Sequence, residues 1–196
     1  MSAQIDRFVH NRLPATEQMP QLRFDLPELQ FGAQLNLVHE LLDKAVSEKA
    51  WAARPALRSS NIVLTYADVK ERVDRIAQVL VEDFHLVPGN RVLLRGGNSI
   101  GLALAWLAVV KAGLIAVGTM PLLRAKELGE IIDKARPALA LCDAMLLDEL
   151  QTAQAAHPVL QTIVPFNVMN APGSMAVLSA QKDGNFAPCP TAATDI

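Results

Sequence analysis

Two cysteines, one tyrosine and two tryptophans are few for a chain of 196 residues. So few cysteines exclude a disulfide-stapled scaffold, which needs several bridges in a shorter chain. Lys and Arg are scattered and the formal net charge is −2, so no basic stripe tracks nucleic-acid phosphates. His10, His39, His85 and His157 lack partners at metal-ligand spacing. Neither a dinucleotide glycine fingerprint nor a G-x-S-x-G elbow is present. Residues 100–118 come nearest to a membrane span, but Gly101, Lys111, Gly113 and Gly118 interrupt them, and a span needs ~20 apolar residues. The opening MSAQIDRFVHNRLP carries charge and proline where a secretory leader needs an apolar core. Cys142 and Cys189 therefore read as reduced thiols of a cytoplasmic protein.

Hydrophobic residues make up 51% of the 21.2 kDa chain, enough for one sizeable core. The organising stretch is 91–121, RVLLRGGNSIGLALAWLAVVKAGLIAVGTMP. A short apolar run, Val92-Leu93-Leu94, turns at Gly96-Gly97-Asn98. Ser99 can then cap a helix over 100–112 that is apolar almost all round, and Gly113 can close it. A second buried strand follows over 114–117. This is a βαβ unit, whose two strands should be parallel neighbours.

The remaining segments extend that unit. Residues 1–36 hold Pro14, Pro20 and Pro27 without periodicity and read as an extended arm. The apolar clusters at Phe24-Asp25-Leu26 and Leu29-Gln30-Phe31 place that arm against a body. An amphipathic helix is expected over 37–51, with Leu37, Leu41, Leu42, Ala45 and Val46 on one face. Residues 56–58 and 62–64 flank Ser59-Ser60-Asn61 as a hairpin. Thr65 and Asp68 make a loose capping box for a helix buried through Val69, Val73, Ile76, Ala77, Leu80 and Phe84. Further helices are expected over 125–135 and 144–156, and strands over 138–142 and 160–164. The alternation predicts a three-layer α/β/α body over 37–166, with a mostly parallel sheet covered on both faces. Residues 167–196 read as loops or a linker, and Thr194-Asp195-Ile196 as the approach to another element.

The chemistry-bearing residues give no catalytic set. Gly96-Gly97-Asn98-Ser99 could hold a phosphate on its backbone N–H groups, but reads first as a structural turn. Lys111 reads as a packed stem whose ammonium reaches the helix end and complements the dipole. Ser59, Ser60 and Ser99 lie in turns; Asp143, Asp148 and Glu149 suit the first turns of a helix. Arg124 and Lys126 could meet an anion, but suit a solvated helix start. No catalytic, cofactor-binding or metal-binding residue is assigned.

The order of segments carries more than any one residue. Leu64-Thr65-Tyr66-Ala67-Asp68-Val69, then Pro88-Gly89-Asn90-Arg91-Val92, Lys111-Ala112-Gly113, and Pro121 with Glu127-Leu128, resemble the adenylate-forming superfamily from about residue 37 onward. The arm, with Asp6-Arg7-Phe8-Val9 and Phe24-Asp25-Leu26-Pro27-Glu28-Leu29, resembles the start of aryl-CoA ligases acting on 2-aminobenzoate or benzoate, as does Pro121-Leu122-Leu123-Arg124-Ala125-Lys126-Glu127-Leu128. The resemblance implies an acetyl-CoA synthetase-like N-terminal subdomain. It also implies a parent enzyme that uses ATP, Mg²⁺ and CoA on an aromatic carboxylate and leaves a homodimer open. It places the Ser/Thr- and Gly-rich phosphate loop, ending in Pro-Lys, just beyond Asp195-Ile196. The chain therefore reads as a fragment that binds no cofactor and is inactive alone. The alternative is a non-catalytic Rossmann-like binding or assembly module.

Overall fold

The computed structural model describes residues 2–21 and 23–195, so Met1 and Leu22 of the arm and the final Ile196 lie outside it. The arm is pinned at its two ends. Near its start, the N–H groups of Ile5 and Asp6 donate to the Pro88 carbonyl at 2.9 and 3.0 Å. Asp6 also pairs with Arg91, and the Phe8 ring lies between the guanidinium groups of Arg12 and Arg91 at 3.7 and 4.3 Å. At the far end Gln34 bridges Ala192, and Asn36 Nδ2 donates to the carbonyls of Lys111 (3.1 Å) and Cys189 (3.0 Å). Between these ties Phe24, Leu26, Leu29 and Phe31 are exposed. The expectation that they lie against a body does not hold among the described residues, because polar ties at the two ends leave the middle in water.

Residues 37–47 are helical with a phase shift, and the helix stops short of the expected end at Trp51. A π-helical stretch at His39–Asp43 runs into α1 (Lys44–Ser47). The wider turn moves the buried face by one residue, so Val38, Leu42 and Ala45 are buried while Leu37 and Leu41 face solvent. The hairpin forms as β1 (Pro55–Arg58) and β2 (Val63–Thr65), paired antiparallel. Thr65 then caps α2 (Tyr66–Gln78): its Oγ1 accepts from the Asp68 N–H at 3.2 Å, and the Asp68 carboxylate accepts from the Thr65 N–H at 2.8 Å. This is the expected capping box.

The central unit follows as β3 (Arg91–Arg95), α3 (Ile100–Lys111) and β4 (Ile115–Thr119). Next come α4 (Ala125–Ala135), β5 (Leu139–Asp143), α5 (Leu147–Ala156) and β6 (Ile163–Phe166). The four strands are parallel, in the order β4-β3-β5-β6. Alternation along them builds two cores. Val92, Leu94, Leu139 and Leu141 pack with α2 and α3 residues such as Val73, Ala108 and Val109. Leu93, Ala140 and Cys142 point to the other face, under Leu128 and Ile132 of α4 and Leu150 of α5. This is the three-layer α/β/α body.

The last strand begins later than apolarity suggests. Leu160 is buried from a turn, its N–H donating to the His157 carbonyl at 3.2 Å, and the ladder starts only at Ile163. Beyond it the chain packs back onto the body. It forms a short α6 (Met175–Ser179), ties Lys182 to Glu82 and Asp83, and donates the Cys189 N–H to the Lys111 carbonyl at 2.9 Å.

Candidate functional site at the carboxyl ends of the strands

Connections leave β3 and β5 toward opposite sides of the sheet, so the order reverses between these neighbours. In open parallel sheets ligands bind in the crevice at such a switch point, outside the carboxyl ends of the strands. Here four loops meet there: 96–99 after β3, 120–124 after β4, 144–146 after β5 and Asn167 after β6.

The turn Gly96-Gly97-Asn98-Ser99 leads into α3 as expected, and Ser99 Oγ accepts from the Leu102 N–H at 3.2 Å. Asn167, held in the left-handed region at φ +57°, reaches across it. Its Nδ2 donates to Ser99 Oγ at 3.1 Å and to the Asp143 carboxylate at 2.6 Å. A Cβ at Gly101 would fall 2.0 Å from Asn167 Oδ1, so that oxygen already fills the space at the first turn of α3. With one side-chain oxygen in place and a carboxylate beside it, this helix start does not fit a nucleotide phosphate. No nucleotide chemistry is derived through it.

On the other side, the 121–124 loop and residues 145–149, which run into the first turn of α5, line an open cavity of about 320 Å³ that Arg95 also lines. Arg124 pairs with Glu149 at 2.7 Å, and Glu149 also accepts the Ala125 N–H at 2.8 Å, which caps α4 from a neighbouring helix. The Arg124 hydrogen bond, followed by that of Ala125, holds the Glu149 carboxyl below its usual range. Lys126 is exposed and Asp148 faces the cavity rim. A second, more apolar groove of about 410 Å³ runs between α3 and the ends of β3 and β4, past Leu102, Trp106 and Thr119.

Lys111 departs from expectation. Its ammonium does not emerge at the helix end but is fully buried, bonded to Asp43 at 2.6 Å and to Asp74. Lys70 reaches the other oxygen of Asp74 at 2.6 Å. The helix end is covered by the Asn36 side chain and the irregular Cys189 segment of the tail, so the lysine has no path to solvent there. This is a structural ion network.

The histidines stay apart. His10 and His85 are exposed, His39 meets Asp43 at 3.3 Å, and His157 meets Asp133 at 2.8 Å. No group of three metal-ligating side chains forms among the described residues. Ser59 and Ser60 lie exposed in the hairpin turn. Burial pushes the Cys142 thiol up to about 12, which removes it as a nucleophile.

Two residues at this end escaped sequence reasoning. Asn167 carried no signal in a stretch without period. Arg95 carried one: a charged residue closes a strand whose neighbours are buried on both faces.

Comparison with known proteins places the fold. The profile of the AMP-binding enzyme family matches residues 43–195. A salicyl-AMP ligase / salicyl-S-ArCP synthetase of Mycobacterium tuberculosis is 35% identical over 166 residues, covering 77% of this chain and 28% of its own length. The mitochondrial medium-chain acyl-CoA ligase of Homo sapiens is 34% identical over 116 residues, covering 59% of this chain and 18% of its own length. An anthranilate CoA ligase, crystallised with anthranoyl-AMP, superposes with a TM-score of 0.77 at 20% identity, over 85% of this chain and 31% of that one. The chain thus spans under a third of each of these three proteins, and its fold is that of the N-terminal subdomain of the AMP-binding domain. With most of its length inside the matched region, the chain belongs to the AMP-binding enzyme family, the adenylate-forming enzymes.

Proposed function

We propose that these residues are the N-terminal part of an ATP-dependent aryl-CoA ligase, which joins 2-aminobenzoate or benzoate to CoA and releases AMP and pyrophosphate. The observation that carries the aromatic assignment is the alignment over 77% of the chain with a relative named for salicyl-AMP. The arm and the run Pro121 to Leu128 support the same subgroup. Residues 1–36 form the arm, 37–166 the α/β body and 167–196 the approach to the phosphate loop. ATP, Mg²⁺ and CoA are used by the full-length protein, with the phosphate contacts made by residues outside this chain. The protein works in the cytoplasm, with Cys142 and Cys189 reduced; among the described residues no helix is long and apolar enough to cross a membrane.

Pyrophosphate–ATP exchange by the full-length protein tests this reading. With 2-aminobenzoate, benzoate, salicylate and octanoate supplied in turn, one of the first two should exceed octanoate by about tenfold or more in kcat/KM. Residues 1–196 alone should show no acid-dependent exchange. Preference for octanoate would overturn the aromatic assignment, and exchange by the short chain would overturn its inactivity.

A further inference from the structure

Arg95 is 1% exposed, and among the described residues it forms no ion pair with a carboxylate. Its guanidinium is satisfied by carbonyls instead. Nε donates to Leu146 at 3.3 Å, Nη1 to Met120 at 3.1 Å, and Nη2 to Pro121 and Leu123 at 3.1 and 2.9 Å. Four of its five N–H donors are thereby used, on two loops that do not follow the strand carrying it. A buried cation that acts on Glu149 only through space, with no carboxylate in direct contact, is an expensive way to fill a strand end, where a leucine or methionine would pack at lower cost. What the guanidinium supplies, and an apolar residue cannot, is a planar fork that fixes several carbonyls at once.

Three of those four residues, Pro121, Leu123 and Leu146, line the cavity beside the switch point, and Met120 adjoins it in sequence. Three of the carbonyls come from the 120–123 segment, which leads to Arg124, and one from Leu146, one turn before Glu149. The Arg124–Glu149 pair closes the same ring at the rim. From this geometry we infer that Arg95 is a positioning residue: it locks the loops after β4 and β5 in one relative arrangement and so shapes the ligand-facing end of the sheet. The inference rests on the ligase reading for its kinetic consequence and on the hydrogen-bond pattern alone for its structural one.

Two measurements test it. In residues 1–196, Arg95→Lys keeps the charge but loses the fork. Amide exchange at Leu123, whose N–H donates to the Met120 carbonyl at 3.2 Å, should then rise about tenfold, while the α2–α3 core is unchanged. A uniform rise, or none, would overturn the inference. In the full-length protein, Arg95→Met should raise KM for one substrate about tenfold with kcat changed far less, and Arg95→Lys should recover part of the loss. Wild-type kinetics in Arg95→Met would overturn a positioning role even if melting temperature falls. A wild-type protein without acid-dependent exchange would instead sink the ligase reading and leave the amide-exchange result to decide the role of Arg95.

Discussion

Lys111 ends the most apolar helix of the chain with no exposed surface, and two carboxylates meet it there. Asp43 comes from the π-helical stretch, Asp74 from α2, and Asn36 holds the same helix end from the arm. The Lys111 side chain thus joins two separate segments to α3, and its carbonyl ties the arm as a third. Removing one partner of a buried pair leaves the others uncompensated, at a cost of about 3–5 kcal/mol. Lys111→Met should lower unfolding stability by that amount in urea titration. The triple variant Lys111→Met, Asp43→Asn, Asp74→Asn should regain much of it, because no buried charge is left unpaired and the Lys70 ammonium, freed from Asp74, can turn to solvent. A loss under about 1 kcal/mol for Lys111→Met would show the network to be dispensable. The sequence displayed the lysine but not its partners, which are 68 and 37 residues away.

Among the elements, the arm has the most explicit electrostatic tie. Burial raises the Asp6 carboxyl, but the Phe8 N–H, Arg91 and Asn90 outweigh it, leaving the group below the usual carboxylate range. A depressed carboxylate adds stability that is complete above the unfolded pKa and is lost as pH falls through the folded one. The arm should therefore hold at neutral pH and loosen below about pH 4. Asp6→Asn should lower the melting temperature at pH 7, and the gap from wild type should close toward pH 3. A gap that persists at pH 3 would mean that the Pro88 backbone bonds and the Phe8 stack, rather than the carboxylate, carry the difference. The arm also shows where element reading fails. Pro14, Pro20 and Pro27 announce an extended chain, yet nothing local says that polar ties at residues 5–8 and 34–36 leave Phe24 and Phe31 in water. The π-helical stretch at His39–Asp43 is similar, because a one-residue phase shift leaves no mark on a pattern read at period 3.6.

At the scale of the whole molecule, the sheet was legible because its signals are local and mutually consistent. Ser99 and Gly113 bracket α3, Thr65 and Asp68 cap α2, and short apolar runs alternate with helices at the spacing of βαβ units. Strand order was not legible, nor was the switch point between β3 and β5 that follows from it. The candidate site inherits that gap: Ser99 and Asp143 meet only through Asn167, and Arg124 and Glu149 only through the docking of α4 on α5. What the site lacks is as informative as what it holds, since the helix start that might have received a phosphate is filled by Asn167. Under the proposed ligase reading, the nucleotide contacts fall outside residues 1–196. The most direct test is to read the coding frame past the codon for Ile196. The account predicts a Ser/Thr- and Gly-rich loop ending in Pro-Lys within the next several codons. A frame that continues without such a loop, or stops there, would contradict it.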